Sequence, residues 1–227
     1  MRYKGILMDA DETLFDFRTG NRRAVERLMD ELGYFDPRRF EQYEEINRAC
    51  WQALEKGLMT NAQLQTARFV RFMDRYRVPG DPEAVGRRFV ELLGRQSILL
   101  PGALETVRAI AARLPVLIVT NGIAAVQRSR IALSPLKDLI AGMVISQEVG
   151  AAKPDPALFR SALRQLGVDR REALMIGDGV NSDIRGANAA GIDACWLNPG
   201  GEALPEGVRA EYVIADIRQS AAIALGE

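Results

Sequence analysis

The sequence of 227 residues contains no histidine. That absence excludes Ser-His-Asp and Cys-His triads, imidazole-ligated metals and imidazole acid–base chemistry. Cysteine is scarce too. Cys50 and Cys195 stand alone and far apart, which excludes a disulfide framework and a zinc-type cysteine cluster and fits a reducing compartment. Nowhere do eighteen apolar residues follow one another, so no membrane span is predicted, and the first apolar run, Ile6 to Met8, meets Asp9 too soon for a signal-peptide core. The expected location is the cytoplasm. Net charge is also missing: thirty basic and thirty acidic residues cancel, which removes the long-range field that gathers nucleic acid polymers or anionic lipid. An anionic ligand must then be held locally, and catalysis must use carboxylates, lysine, hydroxyls or a hard metal.

What is present is ordinary for a folded chain: 48% hydrophobic and 26% charged residues. A chain of this length removes about 72% of its extended surface from water, enough for a core without staples. Short apolar runs ending in polar or glycine-rich loops predict buried strands at Gly5–Asp9, Val116–Thr120, Met143–Ser146, Leu174–Asp178, Ala194–Leu197 and Tyr212–Ile214. From Val116 onward they alternate with helical patterns such as Pro156–Leu166, closed by Gly167. That alternation predicts an α/β fold with a doubly wound parallel sheet. Between the first two strands the pattern is helical only. Start signals fall at Thr19, at Asp36 with Pro37, at Thr60 with Gln63, and at Asp81 with Pro82; stops fall at Gly33, Gly57 and Gly94. An inserted all-helical domain of about four helices is expected over 17–96, splitting a core made of 1–16 and 97–227.

The candidate chemistry lies at strand ends. Asp9 and Asp11 close the first strand on one side of the chain, and two such carboxylates repel unless a cation or proton separates them. An acidic loop capping a strand is the plain alternative. Gly177-Asp178-Gly179-Val180-Asn181-Ser182-Asp183 brings two more carboxylates to the same sheet edge, although Asp183 alone reads equally as a helix N-cap. Carboxylates without histidine describe an oxygen-only site, for which Mg2+ is the natural cofactor. Thr120-Asn121-Gly122 ends the second strand with a hydroxyl and backbone able to approach an anion, although Asn-Gly by itself is a turn. Lys153 precedes a helix. It is one of four lysines, with Lys4, Lys56 and Lys137, against twenty-six arginines, and a compact ammonium suits a single phosphoryl oxygen.

In order and spacing, Asp9-Ala10-Asp11-Glu12-Thr13-Leu14, Val119-Thr120-Asn121-Gly122, Lys153-Pro154 and Gly177-Asp178 through Asp183 resemble the haloacid dehalogenase superfamily of phosphohydrolases, with the helical insertion as its C1 cap. Within the insertion, Asn47 with Trp51, Gly57 with Thr60, and Leu64-Gln65 with Arg68-Phe69 are similar to YjjG-type 5′-nucleotidases, as are Ile145 to Gly150 and Cys195 to Asn198. The resemblance implies Asp9 as nucleophile and Asp11 as general acid–base. It implies magnesium on Asp9, Asp178 and the Asp11 carbonyl with Asp183 nearby, and Thr120, Asn121 and Lys153 on the phosphoryl oxygens. Gly179-Val180-Asn181 departs from the family, which often has a polar side chain straight after the first aspartate. Asn47 and Trp51, four residues apart on one helical face, and Arg68 on the next helix are candidates for base recognition. Trp51 reads equally as core of the insertion. The implied substrate is a phosphate monoester, a nucleoside 5′-monophosphate first, handled by a monomer or weak homo-oligomer. The alternatives are a sugar-phosphate phosphatase, a phosphomutase, a dehalogenase, which does not need Asp11 as an acid, and a catalytically silent binding module.

Overall fold

The first strand, β1 (Gly5–Met8), is buried along its whole length, as are the second, β2 (Val116–Thr120), and the fourth, β4 (Ala173–Gly177). Strands buried on both faces belong in the middle of a covered parallel sheet. The computed structural model, which describes residues 2–55 and 57–227, places them there: with β3 (Gly142–Ile145), β5 (Asp193–Leu197) and β6 (Tyr212–Ile214) they form one parallel sheet of order β3-β2-β1-β4-β5-β6. Register pairs Met8 with Ile118 on one side and with Ile176 on the other, so β1, β2 and β4 end level with one another. The sheet order reverses direction at β1, and the loops beyond its carboxyl edge converge there, as ligand-binding loops of doubly wound folds do. Predicted strand limits differ from the observed ones by at most one residue.

Apolar side chains cover both faces. Ile6, Met8, Ile118 and Leu174 pack with Val107 and Ile110 of α5 (Ala103–Ala111) on one side. Leu7, Leu117 and Met175 pack with Leu158, Phe159 and Ala162 of α8 (Pro156–Leu166) on the other. The remaining core helices are α6 (Ala124–Leu133), α7 (Ser146–Val149), α9 (Arg185–Ala190) and α10 (Gln219–Leu225).

Between β1 and α5 come four helices among the described residues, α1 (Phe17–Glu31), α2 (Arg39–Glu55), α3 (Asn61–Tyr76) and α4 (Pro82–Gly94), with an aromatic cluster of Tyr43, Phe69, Phe72 and Phe89. Thr60 and Gln63 close the predicted capping box, and Asp81 caps α4 ahead of Pro82. At α1 the cap is Asp16, whose carboxylate accepts from the Thr19 backbone N–H; Thr19 is therefore already inside the helix. Lys56 lies outside the described residues. The chain enters and leaves this segment through two extended connections tied side by side, Asp16 N–H donating to Ile98 O at 3.0 Å and Leu100 N–H to Leu14 O at 2.9 Å. Among the described residues no helix is long and apolar enough to cross a membrane.

Candidate active site

Asp9 follows β1 directly and is anchored by its own N–H, which donates to Ile176 O at 3.0 Å. Its carboxylate meets the Lys153 ammonium at 2.5 Å, and the same ammonium lies 2.7 Å from Asp183 Oδ1. Lys153 is held there by the Asn121 side chain, which accepts from the Lys153 N–H at 2.8 Å and donates to its carbonyl at 2.9 Å. The Asn121 amide therefore shapes the lysine loop, while the expected contact with an anion concerns its backbone N–H.

Asp183 is completely buried, and its Oδ2 accepts from the Gly179 N–H at 2.9 Å. A wide turn of π-helical geometry over Val180–Ile184 folds it back over the end of β4. Gly177 permits this, because a Cβ there would lie 2.4 Å from Asp183 Oδ2. Asp183 is thus no plain helix cap. Asp178 is held by Thr13, whose hydroxyl donates to Asp178 Oδ1 at 2.9 Å and accepts from the Asp178 N–H at 3.2 Å. The polar support missing from Gly179-Val180-Asn181 thus comes from the β1 loop.

Oxygens of Asp9, Asp178 and Asp183 lie within 4.8 Å of one another. Burial raises the Asp9 carboxyl to about 7, with the like charge of Asp183 adding to it and Lys153 opposing. Burial, then Asp9, raises Asp178 to about 6, and burial raises Asp183. For Lys153 burial pulls downward, but Asp183 and Asp9 more than offset it and keep the ammonium charged. Three clustered carboxylates facing one ammonium lack positive charge, and the buried Asp183 Oδ1 has no aligned hydrogen bond despite its ion pair. Hard oxygen donors in this state fit a divalent cation.

Thr120, at the end of β2, is buried. Its oxygen accepts from the Gly122 N–H at 3.1 Å and from Gln127 Nε2 at 3.2 Å, which leaves its proton for donation elsewhere. Gly122 makes room, since a Cβ there would fall 2.2 Å from Gln127 Nε2.

Asp11 stands apart from the carboxylate cluster. Gln127 Nε2 donates to its Oδ2 at 2.8 Å, and the Arg130 guanidinium pairs with its Oδ1. Neither partner was singled out from the sequence. They lie three residues apart on one face of α6, both buried, and nothing in the sequence marks either of them.

Above these groups the four helices wall a cleft of about 400 Å³. Asn47, Trp51 and Arg68 all line it, together with Asp9, Asp11, Thr120, Asn121 and Lys153. Half-buried Trp51 packs on the helical core and also borders a second groove shared with Lys153 and Val180. Asn47 is buried: its oxygen accepts from Arg68 Nη1 at 3.2 Å and its nitrogen donates to Glu44 at 3.3 Å, with Asn21 donating to the same Glu44 oxygen at 2.8 Å. Asn21 and Glu44 were likewise not foreseen. The Arg68 guanidinium lies 4.6 Å from the Phe89 ring centre, and its Nε and Nη2 are buried without a partner.

The chain matches the haloacid dehalogenase-like hydrolases over residues 3–191. It is 35% identical over 222 residues to the pyrimidine 5′-nucleotidase YjjG of Escherichia coli, spanning 96% of each chain. It is 33% identical to the pyrimidine 5′-nucleotidase PynA of Streptococcus pneumoniae, over 88% of this chain and 85% of that one. Among solved structures, the HAD-hydrolase YfnB of Bacillus subtilis, bound to magnesium, superposes with a TM-score of 0.89 at 26% identity over 99% of both chains. A 2-haloacid dehalogenase from Pseudomonas syringae superposes at 0.74 with 25% identity, over 99% of this chain and 98% of that one.

Proposed function

The chain belongs to the haloacid dehalogenase-like hydrolase family, and on that premise we propose that it is a phosphatase of nucleoside 5′-monophosphates working through an aspartyl-phosphate. The observation that carries the reading is the buried ammonium of Lys153 against Asp9, beside Asp178 and Asp183, in a cleft that Thr120 also lines. An attacking carboxylate and a phosphate dianion repel, so positive charge must be in place beforehand.

In this reading Asp9 attacks phosphorus while the ester P–O bond breaks, and Asp11 gives its proton to the leaving oxygen. Water then attacks the same phosphorus, passing a proton to Asp11, and the bond to Asp9 breaks to release phosphate. Lys153, the Thr120 hydroxyl and the Asn121 N–H bind the phosphoryl oxygens throughout. Asp9, Asp178, Asp183 and the Asp11 carbonyl would hold Mg2+, and a bound magnesium ion supplies charge that offsets the repulsion between nucleophile and phosphate. The division of labour follows the chain: 1–16 with 97–227 as catalytic core, 17–96 as cap. Two buried free cysteines, Cys50 and Cys195, fit the cytoplasm as its location.

The nucleotide assignment rests on the cleft under the helices. Trp51 offers a ring for stacking, and Arg68 offers buried N–H groups that need an acceptor oxygen, as the carbonyl of a pyrimidine base provides. Two relatives named as pyrimidine 5′-nucleotidases support the same base. The dehalogenase shares the fold but does not need an acid at Asp11. The test is phosphate release from pyrimidine and purine 5′-monophosphates, sugar phosphates and p-nitrophenyl phosphate, with magnesium and with EDTA. The expected result is EDTA-sensitive turnover with the highest kcat/KM on a pyrimidine nucleotide. A sugar phosphate ranking first, or no turnover of any ester, would overturn it.

A further inference from the structure

Arg130 is the largest polar feature of the site without an assigned role. Its side chain is 1% exposed, and Asp11 is its one carboxylate partner among the described residues. The same guanidinium donates through Nε to Gln96 O at 3.0 Å and through Nη1 to Gln127 Oε1 at 3.3 Å. It also lies 4.2 Å from the centre of the Phe15 ring and 5.7 Å from that of Phe17. Phe15 lies in the connection that leaves β1 for the helices and Phe17 opens α1, while Gln96 lies in the connection that returns to the sheet. One buried cation therefore touches both connections and the second aspartate at once. Burying a charge is costly unless it is paired, and an apolar side chain would fill the same space at lower cost. The contacts that require a guanidinium are the fork to Asp11 and to Gln96.

We propose that Arg130 is a positioning residue: it fixes the Asp11 carboxylate from the two segments connecting the helices to the sheet, so that the placement of these segments sets the placement of the acid–base group. This inference rests on the reading of Asp11 as proton donor and acceptor.

The test uses wild type, Asp11→Asn, Arg130→Met and the double variant, with magnesium, on a nucleoside 5′-monophosphate and on p-nitrophenyl phosphate. An alkoxide needs a proton to leave and a nitrophenolate does not, and kcat/KM reports the steps up to the first cleavage. Arg130→Met, which keeps length and apolar packing, is expected to lower nucleotide kcat/KM about 30-fold and the p-nitrophenyl value less than about 3-fold, a split that lost packing alone would not produce. In the Asp11→Asn background it should add nothing, because coupled residues are not additive. Equal losses on both substrates, or losses that multiply in the double variant, would overturn the proposal while leaving the phosphatase reading intact. Full nucleotide turnover by Asp11→Asn would instead remove the acid–base reading and the proposal with it. Should Arg130→Met fail to fold, Arg130→Lys decides: its ammonium cannot serve Asp11 and Gln96 together, so the same split should appear at smaller size, and its absence would overturn the proposal.

Discussion

The carboxyl edge of the sheet and the four-helix segment both bury charge, and they do so in opposite ways. At the edge each buried cation has a counter-ion: Lys153 lies between Asp9 and Asp183, and Arg130 meets Asp11. In the helices Arg68 is equally buried, faces aromatic rings and has, among the described residues, only the neutral oxygen of Asn47, with two of its nitrogens unpartnered there. A buried cation without a counter-ion costs several kcal/mol in a free protein, about 3–5 when a pair has been broken. The edge is assembled before substrate arrives, whereas the helical segment lacks an acceptor that a substrate can bring. Under the proposed function, chemistry that is the same for every phosphate ester is assigned to the first region, and selection among esters to the second.

The largest effect should come from the nucleophile. Asp9→Asn is nearly isosteric and should lower kcat by about 10⁴-fold or more on every ester alike, with an unchanged melting temperature. Steady-state and burst assays on a nucleotide and on p-nitrophenyl phosphate check it. More than about a hundredth of wild-type rate would show that Asp9 forms no covalent intermediate.

Lys153→Arg should follow, with a loss of about 10²-fold on both substrates despite retained charge. The ammonium is closed in by oxygens at 2.5 and 2.7 Å, and a fork with five donors cannot take that place without moving Asp9. Kinetics of this variant separate the edge from the helices, because a nucleotide-specific loss would put Lys153 in the selecting region.

A smaller effect concerns the metal. Asp9 near 7 and Asp178 near 6 have folded pKa values above the unfolded value, so the folded protein binds more protons than the unfolded chain between about pH 4 and 7. Without metal, this cluster therefore loses stability as pH rises through that window. Magnesium competes with those protons, and its affinity should rise about 20-fold from pH 6 to pH 8. Titration calorimetry at the two pH values measures it, with Asp178→Ala expected to reduce the difference to about tenfold, the part carried by Asp9.

The two regions also differed in how much of them the sequence disclosed. In a parallel sheet the ends of neighbouring strands meet at one edge, so Asp9, Thr120 and Asp178 could be brought together from strand positions alone, and Lys153 stood out as one of four lysines. The six strands, as segments, and the capping box at Thr60 were legible because each is marked by residues close together in sequence. Gln127, Arg130, Glu44 and Asn21 were not, because they come from helix faces, and the rotation of one helix against another is set by packing. Arg130 carries no mark among twenty-six arginines. Asp16 and Thr19 are both good caps, and it takes the folded backbone, in which the Asp16 carboxylate accepts from the Thr19 N–H, to show that Asp16 starts α1.

The division between the two regions is tested most directly by Arg68→Met, measured as kcat/KM on a pyrimidine nucleoside 5′-monophosphate and on p-nitrophenyl phosphate, with the melting temperature of the same preparation. Loss of a charged donor to a base oxygen should cost the nucleotide about 1.5–3 kcal/mol and leave p-nitrophenyl phosphate within about twofold. The melting temperature should hold or rise, since a buried cation without a counter-ion has been removed. Parallel losses on both substrates with a lower melting temperature would mean that Arg68 only supports the helical core, and that selection does not reside there.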